Sequence, residues 1–226
     1  MKFILTDLKR IFTEPAFRLS IIFGLVLLFG GMVFVYGTCE RERLFLFSQS
    51  FAFPFVAPLL SAMPYSVMIM QEKETRYKTL ITIKQRGKSY EFKRFLTSGI
   101  SGALALFIPQ LLLFAVCFFM DGISSFGFDI SVLLLSLSFG FSYGAVSYGL
   151  TFVNSQRYVP LVMPEIVYLL CIYAFPHLKL QKYYPPLDIS PTIYGGEITA
   201  ERFIIPVLLV ISSLILTLIG KAGGRK

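Results

Sequence analysis

The sequence predicts an all-α membrane protein with six transmembrane helices, both termini in the cytoplasm and an amphipathic N-terminal interface helix. Three observations support this fold class: six long apolar stretches, charges that fall almost entirely in the connections between them, and basic residues concentrated on alternate connections. A helix needs about 20 apolar residues to cross a hydrocarbon core of roughly 30 Å. The six predicted spans are Phe17–Tyr36, Phe45–Met70, Phe95–Phe119, Ile130–Val153, Tyr158–Phe175 and Phe203–Gly220.

Composition favours a single transmembrane domain over residues 1–226. The chain is 55% hydrophobic and 15% charged, whereas soluble domains carry about 25% charged residues. The net charge of +8 would favour a nucleic-acid partner in a soluble protein. Here, however, 16 of the 21 basic residues fall on the cytoplasmic side if both termini lie inside, as the positive-inside rule requires. We therefore expect a multi-pass protein of the cell membrane that binds no nucleic acid.

Residues 1–15 are too polar to span the membrane and instead predict an amphipathic helix. The apolar positions are Phe3, Leu8, Ile11 and Phe12, and the charged positions between them are Asp7, Lys9, Arg10 and Glu14. Apolar residues at helical spacing are typical of a helix that lies in the membrane interface, and Pro15 would end it. The alternative interpretation is a positively charged leader without a specific contact.

The second predicted span contains Pro54, Pro58 and Pro64. Proline frees backbone carbonyls in a membrane helix, so that neighbouring groups or water must satisfy them. A kinked helix beside a cavity or hinge and a static bend are both compatible with this pattern.

Residues 71–94 form the main cytoplasmic connection, with eight basic and three acidic residues among twenty-four. Glu72 and Glu74 open it, and a helical stretch after them would place Tyr77, Leu80 and Ile81 on one side. Positive charge alone is a topology signal, but an apolar stripe adds a surface on which a cytoplasmic partner can dock.

The fourth and fifth spans carry two further features. In the fourth, Ser136, Gly140 and Gly144 recur every four positions, which favours either tight packing within the bundle or a subunit interface. The fifth contains Glu165 next to Pro164. An ionisable group in a membrane helix indicates function, so this pair is a candidate for a translocation path. The alternative is a shallow carboxylate that reaches the inner headgroups.

Residues 178–202 form the longest outer connection, and they are rich in proline, glycine and tyrosine. Two interpretations remain open: a partly re-entrant segment that caps the bundle, or a simple surface loop.

Motifs for independent catalysis are missing. No phosphate-binding glycine loop is followed by Lys and Ser or Thr, and no HExxH sequence occurs. The single histidine excludes a His-based metal cluster. We therefore expect no enzymatic activity, no metal site and no cofactor in this chain.

Together these features resemble the membrane subunit of an ABC type-2 transporter over essentially the whole chain. That family has six spans, an amphipathic interface helix, a coupling helix between the second and third spans, and a re-entrant outer segment. The most sequence-like part is Glu72–Ile81, which reads EKETRYKTLI. Members carry an acidic pair, Gly-Thr and a Leu-rich turn here; this chain has the pair and Leu80-Ile81, with Arg-Tyr-Lys-Thr in place of Gly-Thr.

The resemblance implies a permease driven by a separate ATPase subunit, which would bind the ATP and Mg²⁺. That subunit would dock on the coupling residues Glu72, Glu74, Tyr77, Leu80 and Ile81, and on the interface helix. A second permease, identical or homologous, would complete the transporter. The 24 phenylalanines favour export of an amphipathic or hydrophobic cargo such as a peptide, an antibiotic or a lipid.

Two alternative functions remain. One is the substrate-binding membrane component of an energy-coupling-factor importer, which also has six spans but needs no basic coupling loop of this length. The other is a scaffold or immunity protein without transport activity, which needs no ATPase partner.

Overall fold

The computed structural model describes residues 2–40, 43–75, 90–120, 126–153, 158–180, 185–189 and 200–223, and their regular structure is entirely helical. The α-helices are α1 (Lys2–Thr13), α2 (Pro15–Val35), α3 (Leu44–Gln49), α4 (Phe53–Glu74), α5 (Tyr90–Phe119), α6 (Phe126–Val153), α7 (Val159–His177) and α8 (Ile204–Gly223). Short 3₁₀ helices cover Pro185–Asp188 and Ala200–Phe203.

Five of these helices are long and apolar enough to cross a membrane, which makes the chain a multi-pass helical membrane protein. They are α2, α4, α5, α6 and α7, and each overlaps a predicted span. Helix α8 overlaps the sixth predicted span, but its apolar stretch, Ile204–Ile219, is shorter than the other five.

The predicted second span, Phe45–Met70, is not one continuous helix. The short helix α3 ends at Gln49, and α4 begins at Phe53. Pro54 explains the break, because proline lacks an amide hydrogen and costs no hydrogen bond in the first turn of a helix, where that hydrogen has no partner in the helix. Pro58 and Pro64 instead lie inside α4, which continues through both. The first proline therefore marks a helix start, and only the other two are candidates for a bend.

The central contact of the bundle joins α5 to α6 through small residues. A Cβ atom added to Gly140 would lie 2.7 Å from the carbonyl oxygen of Gly102, so the two backbones are in direct contact. The hydroxyl of Ser98 donates a hydrogen bond of 2.7 Å to the carbonyl of Gly144. The predicted packing role of the small residues in the fourth span is confirmed, because Gly140 and Gly144 both face α5 within the same chain.

The bundle has two apolar clusters, one near each end. We call the end at which α4 ends and α5 begins the connection end. The cluster at that end includes Ile11, Phe17 and Ile69, and Leu214 of α8 packs against it. Leu209, earlier in α8, packs against the other cluster. Helix α8 therefore runs towards the connection end, where α1 also lies.

We call the end of the bundle opposite the connection end the far end. The described part of the outer connection packs against the bundle there. Leu187 and Ile189 are fully buried, and Ile189 belongs to the cluster at that end. Residues 181–184 and 190–199 lie outside the described residues.

Candidate functional site

A group of charged and hydroxyl side chains is buried at the connection end of the bundle. We call it the polar cluster, and it consists of Asp7 and Arg10 of α1, Tyr65 and Glu72 of α4, and Arg94 of α5. Glu72 is 1% exposed and Arg94 is 2% exposed, whereas the side chain of Arg10 is 35% exposed. Charged residues are almost never buried this fully unless they are paired, so the cluster is a candidate functional site.

Each carboxylate oxygen of Glu72 accepts from a different guanidinium group. Arg10 Nη1 donates to Glu72 Oε1 at 2.5 Å, and Arg94 Nη2 donates to Glu72 Oε2. Arg94 also donates from Nε to the Tyr65 hydroxyl at 2.8 Å. That hydroxyl in turn donates to Asp7 Oδ2 at 3.2 Å. The five side chains thus form one continuous chain of hydrogen bonds across three helices.

The charges of the polar cluster cancel. Asp7 and Glu72 supply two negative charges, and Arg10 and Arg94 supply two positive charges. The guanidinium of Arg94 also lies over two aromatic rings, 5.6 Å from the centre of Tyr65 and 5.5 Å from that of Tyr90. Both contacts attract a cation. Burial raises the pKa of Asp7 above its usual range, and the nearby Arg94 opposes that shift.

A second carboxylate contact connects α6 to the same region. The hydroxyl of Tyr148 in α6 donates to Glu91 Oε2 in the first turn of α5. The Tyr148 ring packs edge-on against Tyr65 with ring centres 5.8 Å apart. A displacement of the polar cluster would therefore move α1, α4, α5 and α6 together.

The polar cluster brings together both sides of the predicted coupling connection. Glu72 lies in the last turn of α4 and Arg94 in the second turn of α5. Of the predicted coupling residues, Glu72 is buried and Glu74 is exposed. Tyr77, Leu80 and Ile81 lie outside the described residues. A docking role for Glu72 stays a prediction, but its carboxylate faces the bundle interior and would have to act through its partners.

The predicted interface helix packs against the bundle through one face. Ile11 is fully buried, Leu8 is half-buried against the same apolar cluster, and Phe12 is 44% exposed. The ring of Phe12 packs edge-on against Phe17. Phe3 lies in α1, but its side chain is not among those described.

Asp7 is one of the functional candidates that the sequence pattern did not single out, together with Arg10, Tyr65 and Arg94. The sequence pattern placed Asp7 among the charged positions of the amphipathic helix, which normally face away from the apolar side. In the structure its side chain is 7% exposed and faces the bundle. Its position four residues before Ile11 places it on the buried face of the helix. That spacing is the one sequence signal that pointed to its burial.

Glu165, the candidate for the translocation path, contacts the backbone of α4. Its Oε2 accepts a hydrogen bond of 3.1 Å from the amide of Leu59, which directly follows Pro58. Pro164 is buried beside it. The contact shows a role that the sequence did not predict, because Glu165 supports a helix next to a proline. Its role in a translocation path stays a prediction.

We expect Glu165→Leu to destabilise the protein by about 1–3 kcal/mol, because it removes the acceptor of a part-buried amide. Glu165→Gln keeps an oxygen acceptor in the same place, and a loss below about 1 kcal/mol is expected. The measurement is equilibrium unfolding of both variants in mixed micelles. Equal losses for Gln and Leu would show that the hydrogen bond to Leu59 does not matter.

Other candidate sites in the described residues are weaker. Those residues contain no group of three or more His, Cys, Asp or Glu side chains that could hold a metal ion. A cavity of about 430 Å³ opens at the far end between α2 and α3, lined in part by Cys39 and Phe47. Within the described residues, the one ion pair at this cavity joins Arg43 to Glu40 at 3.6 Å. Both side chains of the pair are exposed. Exposed pairs of this kind contribute little, so the cavity lacks the fixed polar groups of a specific site.

Comparison with known proteins adds no family: no protein-family model matches the chain, and no curated protein or solved structure is detectably similar to it. Its function therefore has to be argued from the membrane-spanning fold and the polar cluster.

Proposed function

We propose that this chain is the transmembrane permease subunit of an ATP-driven ABC transporter that exports an amphipathic or hydrophobic cargo. The observation that carries the proposal is the polar cluster. It joins α1 to the helix on each side of the 71–94 connection, through Glu72 in α4 and Arg94 in α5. A chain that receives force at this connection needs such an attachment between α4 and α5, because the force must reach the spanning helices.

The proposal includes six spans with both termini in the cytoplasm. Helix α8 has 20 residues, which corresponds to about 30 Å at the helical rise. Its course towards the connection end, where α1 also lies, supports termini on one side of the membrane. The excess of basic residues on that side supports a cytoplasmic location.

In the proposed mechanism, a separate ATPase subunit docks on the connection through Glu74, Tyr77, Leu80 and Ile81. ATP and Mg²⁺ bind in that subunit. ATP must bind one conformation of the complex more tightly to shift its equilibrium between inward-facing and outward-facing forms. Movement of the connection would pull on Glu72 and Arg94, which transmit it to α4 and α5.

A second permease subunit, identical or homologous, completes the transporter in this proposal. Helices α2 and α7 are the least buried of the five candidate spans, with 28% and 17% of their apolar windows buried. A face of this kind is covered either by lipid or by another subunit. The phenylalanine-rich spans favour a cargo that is itself partly apolar.

The proposal predicts that Leu80→Ala/Ile81→Ala uncouples the transporter. In the complex purified with its ATPase subunit, we expect cargo-stimulated ATPase activity to fall at least about tenfold, within the usual range of coupling energies. The matched control is Leu178→Ala/Leu180→Ala, which removes two exposed leucines near the far end of α7. Unchanged coupling in the first variant, or equal loss in both, would argue against this docking surface.

A further inference from the structure

The joint between α1 and α2 is a single residue. Helix α1 ends at Thr13 and α2 begins at Pro15. Between them, Glu14 has an extended backbone, with φ −68° and ψ 135°. Proline disfavours helical geometry at the residue before it, so α1 and α2 cannot merge into one helix without strain. Helix α1 can therefore change its direction by rotation at Glu14 alone, while α2 keeps its place.

The side chains of residues 6–13 of α1 show how this part of the helix is held against the bundle. Among residues 6–13, whose side chains are described, only Asp7 and Ile11 are buried, and Leu8 and Arg10 are half-buried. Lys9 is exposed, and Phe12 is partly exposed but packs its ring against Phe17. Within these residues, Ile11 is the one fully buried apolar side chain, and Asp7 and Arg10 are the two charged residues that enter the polar cluster.

The division of charge between α1 and the bundle is the decisive feature. The bundle contributes Glu72 and Arg94, which pair with each other, and α1 contributes Asp7 and Arg10. The two residues of the bundle carry no net charge together, and neither do the two residues of α1. Separating buried ion pairs is costly mainly because it leaves an unpaired charge buried. If α1 left the bundle, Glu72 would keep Arg94, Arg94 would keep Tyr65, and both charges of α1 would enter water.

We propose that α1 is a detachable clamp that docks on the bundle through Asp7, Arg10 and Ile11 and is released by rotation at Glu14. In the docked state, Glu72 is held by two guanidinium groups and α1 braces the end of α4. In the released state, the pair of Glu72 and Arg94 alone joins α4 to α5. The attachment of α1 to the bundle would thereby regulate how stiffly α4 and α5, which flank the 71–94 connection, are held together. This inference does not depend on the presence of an ATPase partner.

The test is a distance measurement by electron paramagnetic resonance on the full chain in lipid nanodiscs. One spin label replaces Lys9 on the outward side of α1, and the other replaces Phe92 on the exposed side of α5. The native cysteines are removed by Cys39→Ser, Cys117→Ala and Cys171→Ser. We expect Arg10→Gln/Ile11→Ala to raise the ratio of released to docked distances at least about tenfold, since a hydrogen bond to a buried carboxylate and an apolar anchor are both lost.

Two controls separate release of α1 from general loosening. Arg18→Gln removes the same charge just beyond the joint, at an exposed residue, and should leave the distance distribution unchanged. A second label pair at Thr75, the residue that follows α4, and at Phe92 in α5 reports on the distance between these two helices and should keep one distance in every variant. A single docked distance in Arg10→Gln/Ile11→Ala would overturn the proposal. So would an equal change in the pair at Thr75 and Phe92, because the bundle would then open together with α1.

Discussion

Arg94→Leu is expected to lower the free energy of unfolding by about 3–5 kcal/mol, the largest loss among single substitutions in the polar cluster. The change leaves Glu72 fully buried with only the partly exposed Arg10 as a cationic partner. It also removes the donor to the Tyr65 hydroxyl. The measurement is equilibrium unfolding in mixed micelles, followed by tyrosine fluorescence and circular dichroism.

Three further variants identify the cause of that loss. Arg94→Leu/Glu72→Leu removes both charges and should recover much of the stability, because an apolar pair of similar volume often replaces a buried ion pair without cost. Arg94→Lys keeps the positive charge but lacks the planar guanidinium, which donates from two nitrogens to Tyr65 and Glu72. An intermediate loss of stability is therefore expected. The matched control is Arg18→Leu at an exposed position, where the change should stay within about 0.5 kcal/mol. Equal instability of the single and double variants would contradict the electrostatic explanation.

Gly140→Leu is expected to cost about 3 kcal/mol or more and to reduce the yield of monodisperse protein. A new Cβ at this position meets the backbone of α5, at 2.7 Å from Gly102 O and 2.9 Å from Ala103 Cα. Backbone atoms cannot move aside as a side chain can, so the two helices would have to separate. Unfolding in mixed micelles and size-exclusion chromatography measure the effect.

Gly127→Leu is the matched control for this substitution. Gly127 lies in the same helix, α6, and a Cβ there would meet nothing within 4 Å. Replacing glycine in a helix removes its entropic cost, so this variant should be neutral or more stable by up to about 1 kcal/mol. If Gly127→Leu and Gly140→Leu were equally unstable, close contact between α5 and α6 would not be what the glycine provides.

The spans were predictable because bilayer thickness translates directly into the length of an apolar helix. Five of the six predicted spans correspond to long apolar helices, and the break before Phe53 was missed because no charged residue marks it. Pro54 was noted as a possible kink, but a proline near a helix start and one inside a helix look alike in sequence. The structure distinguishes the two, because α3 ends at Gln49 and α4 begins at Phe53, just before Pro54.

The polar cluster was not predictable, because its contacts join distant parts of the chain. Arg10 meets Glu72 across 62 positions, and Tyr65 meets Asp7 across 58. Glu72 was expected on a docking surface because an acidic residue at the start of a basic connection normally faces water. Its burial depends on Arg94 and Arg10 arriving from two other helices, and spacing along one helix carries no information about that.

The polar cluster also changes how variants of the coupling connection should be interpreted. A substitution of Glu72 would destabilise the bundle as well as alter docking, so loss of transport in such a variant would be ambiguous. Glu74 is exposed two residues after Glu72 and is the better probe of docking. Leu80 and Ile81, which lie outside the described residues, are not members of the polar cluster, so their substitution is a second probe of the predicted docking surface.

The measurement that tests the proposed function most directly is purification of the tagged chain from its native membranes in mild detergent, followed by mass spectrometry of the proteins that remain bound. The proposal predicts a stoichiometric ATP-binding cassette subunit, together with a second copy of this chain or a homologous permease. Recovery of the chain without an ATPase subunit, either alone or with a small ligand, would contradict the permease assignment.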